Sequence, residues 1–140
     1  MLRIKETLRQ AIIDHALKDA PIEACGVIAG KNFCGNDTDR LIKMDNMAEE
    51  WGTSFEFDPH QQLAVWNDME TRREVPVVIY HSHTKHRAQP SNRDVDGAVL
   101  RQTHHVIVST LDRESPEFRS FVLQNGNLIE ESIEVLEWKQ

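Results

Sequence analysis

Two histidines separated by a single residue, His81-Ser82-His83, are the part of this sequence best suited to chemistry. Just upstream, Val77-Val78-Ile79-Tyr80 is an unbroken apolar and β-branched run after Pro76 and reads as a short buried strand. The histidines then sit at the strand's exit, where α/β proteins place ligands and catalytic groups. Residues i and i+2 of a strand share a face, roughly 7 Å apart. Two imidazoles at that spacing can converge on one metal ion while Ser82 faces the other way. A carboxylate arriving from the next element would complete three protein ligands and leave a fourth position open. That open position separates a catalytic zinc site from a structural one. The pattern points to a zinc hydrolase.

The third ligand has two candidates. In Ser91-Asn92-Arg93-Asp94, a serine followed three residues later by an acid is a capping-box variant that starts a helix. Capping and catalysis are compatible there, because Asp94 then lies in the first helical turn, at the end facing the strand exit. His86 competes, since His81-Ser-His-Thr-Lys-His86 has an HxHxxH appearance. That run resembles a metallo-β-lactamase site but has Lys85 where such sites place an aspartate. Paired cysteines at deaminase spacing are absent, as is an HExxH helix. Cys25 reads as a small buried hydrophobe, and Glu23, taken alone, as a solvated strand-edge carboxylate.

The elements that must position these groups can be read in order. Ile4, Leu8, Ile12 and Ala16 recur at i+4 steps and predict an amphipathic helix from Leu2 to Lys18, ended by Asp19-Ala20-Pro21. His15 on its face reads as a hydrogen-bonded, half-core histidine. A strand follows over Glu23–Gly30, then a polar turn over 32–38 and a second strand over Arg40–Met44. Residues 45–54 form a loop in which Trp51 is expected to pack, and Phe55-Glu-Phe57 is a brief extended piece. Asp58-Pro59 supplies an N-cap and a first-turn proline for a helix to about Arg73, with Leu63, Trp66 and Met69 inward. A third helix is expected from Ser91 to about Gln102, with Val95, Ala98 and Val99 inward. His105–Ser109 is a buried strand, Asn125-Gly126 a hairpin turn, and Ile133 and Val135 mark a half-exposed last strand. Strands separated by helices and closed by a hairpin predict one α/β domain over residues 1–140, with a mixed β-sheet flanked by helices.

The totals narrow the partners. A chain of 140 residues can bury a core without staples. A net charge of −7 argues against nucleic-acid binding, which needs a basic face. No run spans a bilayer, the N-terminal stretch lacks a signal peptide's apolar core, and two cysteines nine residues apart make no disulfide framework. The chain reads as cytoplasmic, with no membrane partner; its oligomeric state is open.

Glu23, then His81-Ser-His83, then seven residues, then Ser91-x-x-Asp94 resembles in full the JAMM (MPN+) zinc metalloprotease signature. Tyr80-His-Ser-His and Glu117-Phe-Arg-Ser resemble the bacterial Mec type of that family. The resemblance implies a cytidine-deaminase-like JAMM/MPN fold in which His81, His83 and Asp94 hold Zn2+. It implies further that Glu23 is the general base and acid and Ser91 an oxyanion donor. The implied substrate is a ubiquitin-like sulfur-carrier protein with a C-terminal Gly-Gly. A metallopeptidase or isopeptidase would cleave its C-terminal amide, releasing cysteine or trimming the carrier. Other members of the family act as deubiquitinases or process phage tail proteins, and some are silent scaffolds; the five intact residues argue against a scaffold. The Lys85-His86-Arg87 cluster beside the site could meet a substrate carboxylate.

Overall fold

The computed structural model describes residues 1–36 and 38–137; Asp37, within the expected polar turn, lies outside the described residues. The chain forms β1 (Leu2–Lys5), α1 (Glu6–Asp19), β2 (Cys25–Gly30), β3 (Arg40–Met44), α2 (Pro59–Thr71) and β4 (Val75–His83). It continues as α3 (Asn92–Gly97), β5 (His104–Ser109), β6 (Glu117–Gln124), β7 (Asn127–Glu131) and β8 (Ile133–Leu136). Six strands make one sheet in the order β3-β2-β4-β5-β6-β7, and β1 pairs with β8 apart from it. β4 and β5 run parallel while the other neighbours in the large sheet are antiparallel, so the sheet is mixed, as expected.

Alternation along the strands divides the core into two layers. Ile28, Val78, Tyr80, Val106 and Val108 face α1, meeting Ile12, Ile13 and Ala16. Cys25, Val27 and Ala29 face the other way, where Met69, Val65 and Trp66 of α2 cover them with Phe55 and Phe57. The His81 and His83 side chains share this second face with Ile79, because all three stand at odd positions of β4.

Four expectations need correction. Leu2–Lys5 is a strand, since Leu2 and Ile4 point inward, Arg3 outward, and β8 pairs with them in parallel register. The alternation and its distant partner override the helical spacing. On α2 the inward side chains are Val65, Trp66 and Met69, whereas Leu63 is 62% exposed. The third helix stops at Gly97, a poor interior helix residue, and Ala98 is already extended. Val99 is 77% exposed rather than inward. Trp51 is half-exposed, and its backbone carbonyl makes the contact of consequence, by accepting from the Glu23 N–H at 2.8 Å.

The start chemistry of α2 is as read: Asp58 Oδ1 accepts from the backbone N–H groups of His60 (2.9 Å) and Gln61 (3.4 Å), beside Pro59. Asn125 and Gly126 both adopt positive φ, 50° and 78°, at the β6–β7 hairpin. His15 is buried, with Nδ1 2.7 Å from the Tyr80 hydroxyl and Nε2 3.0 Å from Asp19 Oδ2.

Candidate metal centre

β4 is longer than its apolar run. His81, Ser82 and His83 continue the ladder, with Cys25 of β2 opposite His81 and Ile107, Val108 and Ser109 of β5 opposite all three. The histidines are thus held by backbone pairing on a rigid strand rather than by a loop after it. Ser82 turns to the opposite face, where its Oγ accepts from the Ala24 N–H at 2.8 Å. That bond ties the entrance of β2, and with it Glu23, to the histidine pair.

Each imidazole is oriented by a neighbour. His83 Nδ1 donates to the Arg87 carbonyl at 2.9 Å, which leaves the Nε2 lone pair facing the site in the neutral ring. His81 lies against Phe55, centroids 4.3 Å apart and planes 19° from parallel. The two Nε2 atoms are 3.2 Å apart.

Asp94 meets both. Its Oδ1 is 3.1 Å from His81 Nε2 and its Oδ2 3.2 Å from His83 Nε2. Burial alone would raise this carboxyl, but the two imidazoles and the Ser91 N–H hold it well below the usual carboxylate range. α3 delivers Asp94 by the capping box read from the sequence. Ser91 Oγ accepts from the Asp94 N–H at 3.1 Å, and Asp94 Oδ2 accepts from the Ser91 N–H at 2.8 Å. His86 does not join the cluster, its ring centroid standing 6.4 Å from that of His83.

Glu23 is buried rather than solvated, at 3% exposure, and one of its carboxylate oxygens lies within 4.8 Å of a ring nitrogen of His81 and of His83. Burial pushes its carboxyl up to about 7; His83 opposes the shift and Asp94 adds to it. Its backbone is held on both sides, with the Glu23 carbonyl accepting from Asn46 Nδ2 at 3.0 Å. Asn46 is a hub the sequence did not reveal. Its Nδ2 also donates to the Ser54 carbonyl, and its Oδ1 accepts from the Ala48 and Glu56 N–H groups. Phe55 was equally hidden; the only sequence signal was a short apolar alternation in a loop.

Two imidazole nitrogens and a carboxylate, converging in a largely buried spot, form a donor set suited to a divalent ion that takes N and O ligands. The spot lies between two hollows of about 860 Å3 and 750 Å3. His81 and Asp94 line the first, Glu23 and His83 the second, and Thr53, Ser91 and Arg93 line both.

The family model for prokaryotic homologs of the JAB domain matches residues 5–124, and the chain belongs to that family: it is a JAB-family hydrolase. Among its relatives is the CysO-cysteine peptidase of Mycobacterium tuberculosis, 45% identical over 138 residues, which cover 98% of this chain and 92% of that protein. A probable TtuB-protein conjugate cleaving protease of Thermus thermophilus is 32% identical over 112 residues, 80% of this chain and 69% of the other. A solution structure of a Desulfitobacterium hafniense protein superposes with a TM-score of 0.82 at 26% identity, covering 99% of this chain and 94% of that one.

Proposed function

We propose that the chain is a zinc-dependent peptidase that hydrolyses the C-terminal amide of a ubiquitin-like sulfur-carrier protein. The reaction would release cysteine or trim the carrier to its terminal Gly-Gly. The observation that carries this reading is the convergence of His81 Nε2, His83 Nε2 and the Asp94 carboxylate within 3.2 Å, with buried Glu23 alongside. The 45% identity to a CysO-cysteine peptidase over nearly the whole chain supports the substrate class. The reaction belongs to one cytoplasmic domain over residues 1–140.

In this proposal His81, His83 and Asp94 hold Zn2+. The ion supplies an acidified water and a Lewis acid for the scissile carbonyl. Glu23 accepts the water's proton and passes it to the leaving amine nitrogen. A carboxyl pushed up to about 7 suits both halves of that transfer near neutral pH. Ser91 Oγ uses a lone pair as helix cap, so its O–H is free to donate to the oxyanion that forms on the carbonyl oxygen. One water is consumed; the carrier leaves as a carboxylate and the other fragment as an amine.

Carrier–amino acid adducts incubated with the protein and followed by mass spectrometry test the reading. The adduct is expected to lose one residue, and a chelator or Glu23→Gln to stop the loss, with zinc stoichiometry unchanged in the variant. Near-normal turnover by Glu23→Gln would remove Glu23 from the mechanism. An adduct left intact by wild-type protein with full zinc would favour cleavage of protein conjugates, the activity named for the Thermus relative.

A further inference from the structure

The two hollows that meet at the site carry opposite charge. Glu49, Glu50, Glu56 and Asp94 line the first, with Arg93 as its one lysine or arginine among the described residues, beside His81 and His105. Lys85, Arg87 and Arg93 line the second, beside His83 and His86, and among the described residues its one carboxylate is Glu23. A cationic hollow of this kind runs against the net charge of −7 on the whole chain.

The three cations are not equivalent. Arg87 is occupied by Glu117, donating from Nε to Oε1 at 3.2 Å and from Nη2 to Oε2 at 3.0 Å. Arg93 reaches Glu50 at 3.3 Å. Among the described residues Lys85 has no carboxylate partner, and it is exposed in the hollow. The turn that bears it is built rather than loose. The His86 carbonyl accepts from Ser109 Oγ, the Arg87 carbonyl from His83 Nδ1, and the Ala88 N–H donates to Glu117 Oε1 at 3.2 Å. Ala88 is fully buried. A fixed turn two residues beyond His83 therefore presents one uncommitted ammonium group in the hollow that also holds Glu23.

We propose that Lys85 is a specificity residue that binds the free α-carboxylate of the single amino acid leaving from the scissile amide. The inference rests on the peptidase reading and sharpens it. A leaving amino acid carries its carboxylate one carbon from the amide nitrogen it keeps, whereas an isopeptide leaves a lysine side chain with no anion there. The charge asymmetry also fixes direction: an α-carboxylate placed in the first hollow would meet glutamates, so the carrier's uncharged tail lies there and the leaving residue in the second.

The test uses semisynthetic ubiquitin-like carriers ending in Gly-Gly-Cys, one with a free α-carboxylate and one with an α-carboxamide, and compares kcat/KM. Wild-type protein is expected to prefer the free acid by roughly 10- to 100-fold, the worth of a hydrogen bond between charged groups, mostly through KM. Lys85→Ala should bring the ratio toward unity and Lys85→Arg should keep most of it, each with wild-type zinc content. Equal rates for wild type on both substrates, or a Lys85→Ala loss that is the same on both, would overturn the carboxylate subsite while leaving the peptidase standing. Hydrolysis of neither substrate by zinc-loaded wild type would overturn the peptidase reading, and the subsite with it.

Discussion

Asp94 Oδ2 lies 2.8 Å from the Ser91 backbone nitrogen and 3.2 Å from His83 Nε2, so one oxygen closes the capping box of α3 and faces the histidine pair of the candidate metal centre. Cap and histidine cluster are thus a single structure, in which the proposed mechanism gives Ser91 a second role as oxyanion donor. Ser91→Ala is expected to cost about 1 kcal/mol of stability through the lost cap. Turnover should fall on the order of 100-fold or more through the lost oxyanion donor. Ser91→Thr keeps both the acceptor and the hydroxyl and should recover much of each. Unfolding curves and single-turnover rates on the same variants separate the two effects. Turnover within a few-fold of wild type in Ser91→Ala would leave Ser91 as a cap alone.

Asp94 stands beside the histidines and His86 does not, which supports Asp94 over His86 as the third ligand in the proposed site. Asp94→Ala should lower bound zinc sharply, because two neutral imidazoles would keep no anionic partner among the three donors. His86→Ala should leave zinc content near wild type. Elemental analysis of protein purified without chelator reads both, and the reverse pattern would restore the HxHxxH arrangement.

These placements were legible because each depends on short spacing. Two histidines at i and i+2 share a face of any strand, and a serine three residues before an acid starts a helix wherever it occurs. The family signature then linked them to Glu23, whose solvated reading fails because Ser82 draws the start of β2 against β4. The apolar spacing of Val95, Ala98 and Val99 suggests a longer α3 than forms, because Gly97 between them ends the helix. β1 is not legible locally because Ile4 satisfies both a helical and an alternating pattern, and its pairing with Val135 settles which one wins. Residues 45–54 offer no periodicity, since Asn46 organises this stretch by side-chain bonds to the backbone, and Phe55-Glu-Phe57 offers only a brief alternation.

Phe55 comes from that brief alternation, and its stack on His81 is expected to hold the ring in register for metal binding. Groups that orient a ligand typically change metal affinity by 10- to 100-fold when removed. Phe55→Ala should therefore lose zinc to a competing chelator roughly 10-fold more readily than wild type. Phe55→Leu, which keeps apolar cover over Cys25 and Met44 without the aromatic face, should recover stability but only part of the affinity. Equal zinc retention in all three proteins would reduce Phe55 to packing.

Away from the site, His104 bridges two acceptors: Nδ1 donates to Glu131 Oε2 at 2.6 Å and Nε2 to the Phe33 carbonyl at 3.0 Å. Both bonds are satisfied only by the imidazolium. Burial pulls His104 down, but the Glu131 and Phe33 bonds outweigh it and its pKa is raised. Burial would lift Glu131, yet His104 and Ser120 bring it to about 2. The raised histidine stabilises fully below its ordinary 6.5, and that contribution is lost as pH rises through the folded value. The lowered glutamate stabilises above its ordinary 4.5, and its contribution is lost as pH falls toward about 2. The pair therefore contributes most between about pH 4.5 and 6.5. His104→Gln should cost roughly 3 kcal/mol in that window, as expected when one partner of a buried pair is removed. The deficit should shrink as pH rises above neutrality, because wild type then loses the imidazolium too. Urea unfolding of both proteins across this range measures it, and a deficit that grows with pH would contradict the assignment.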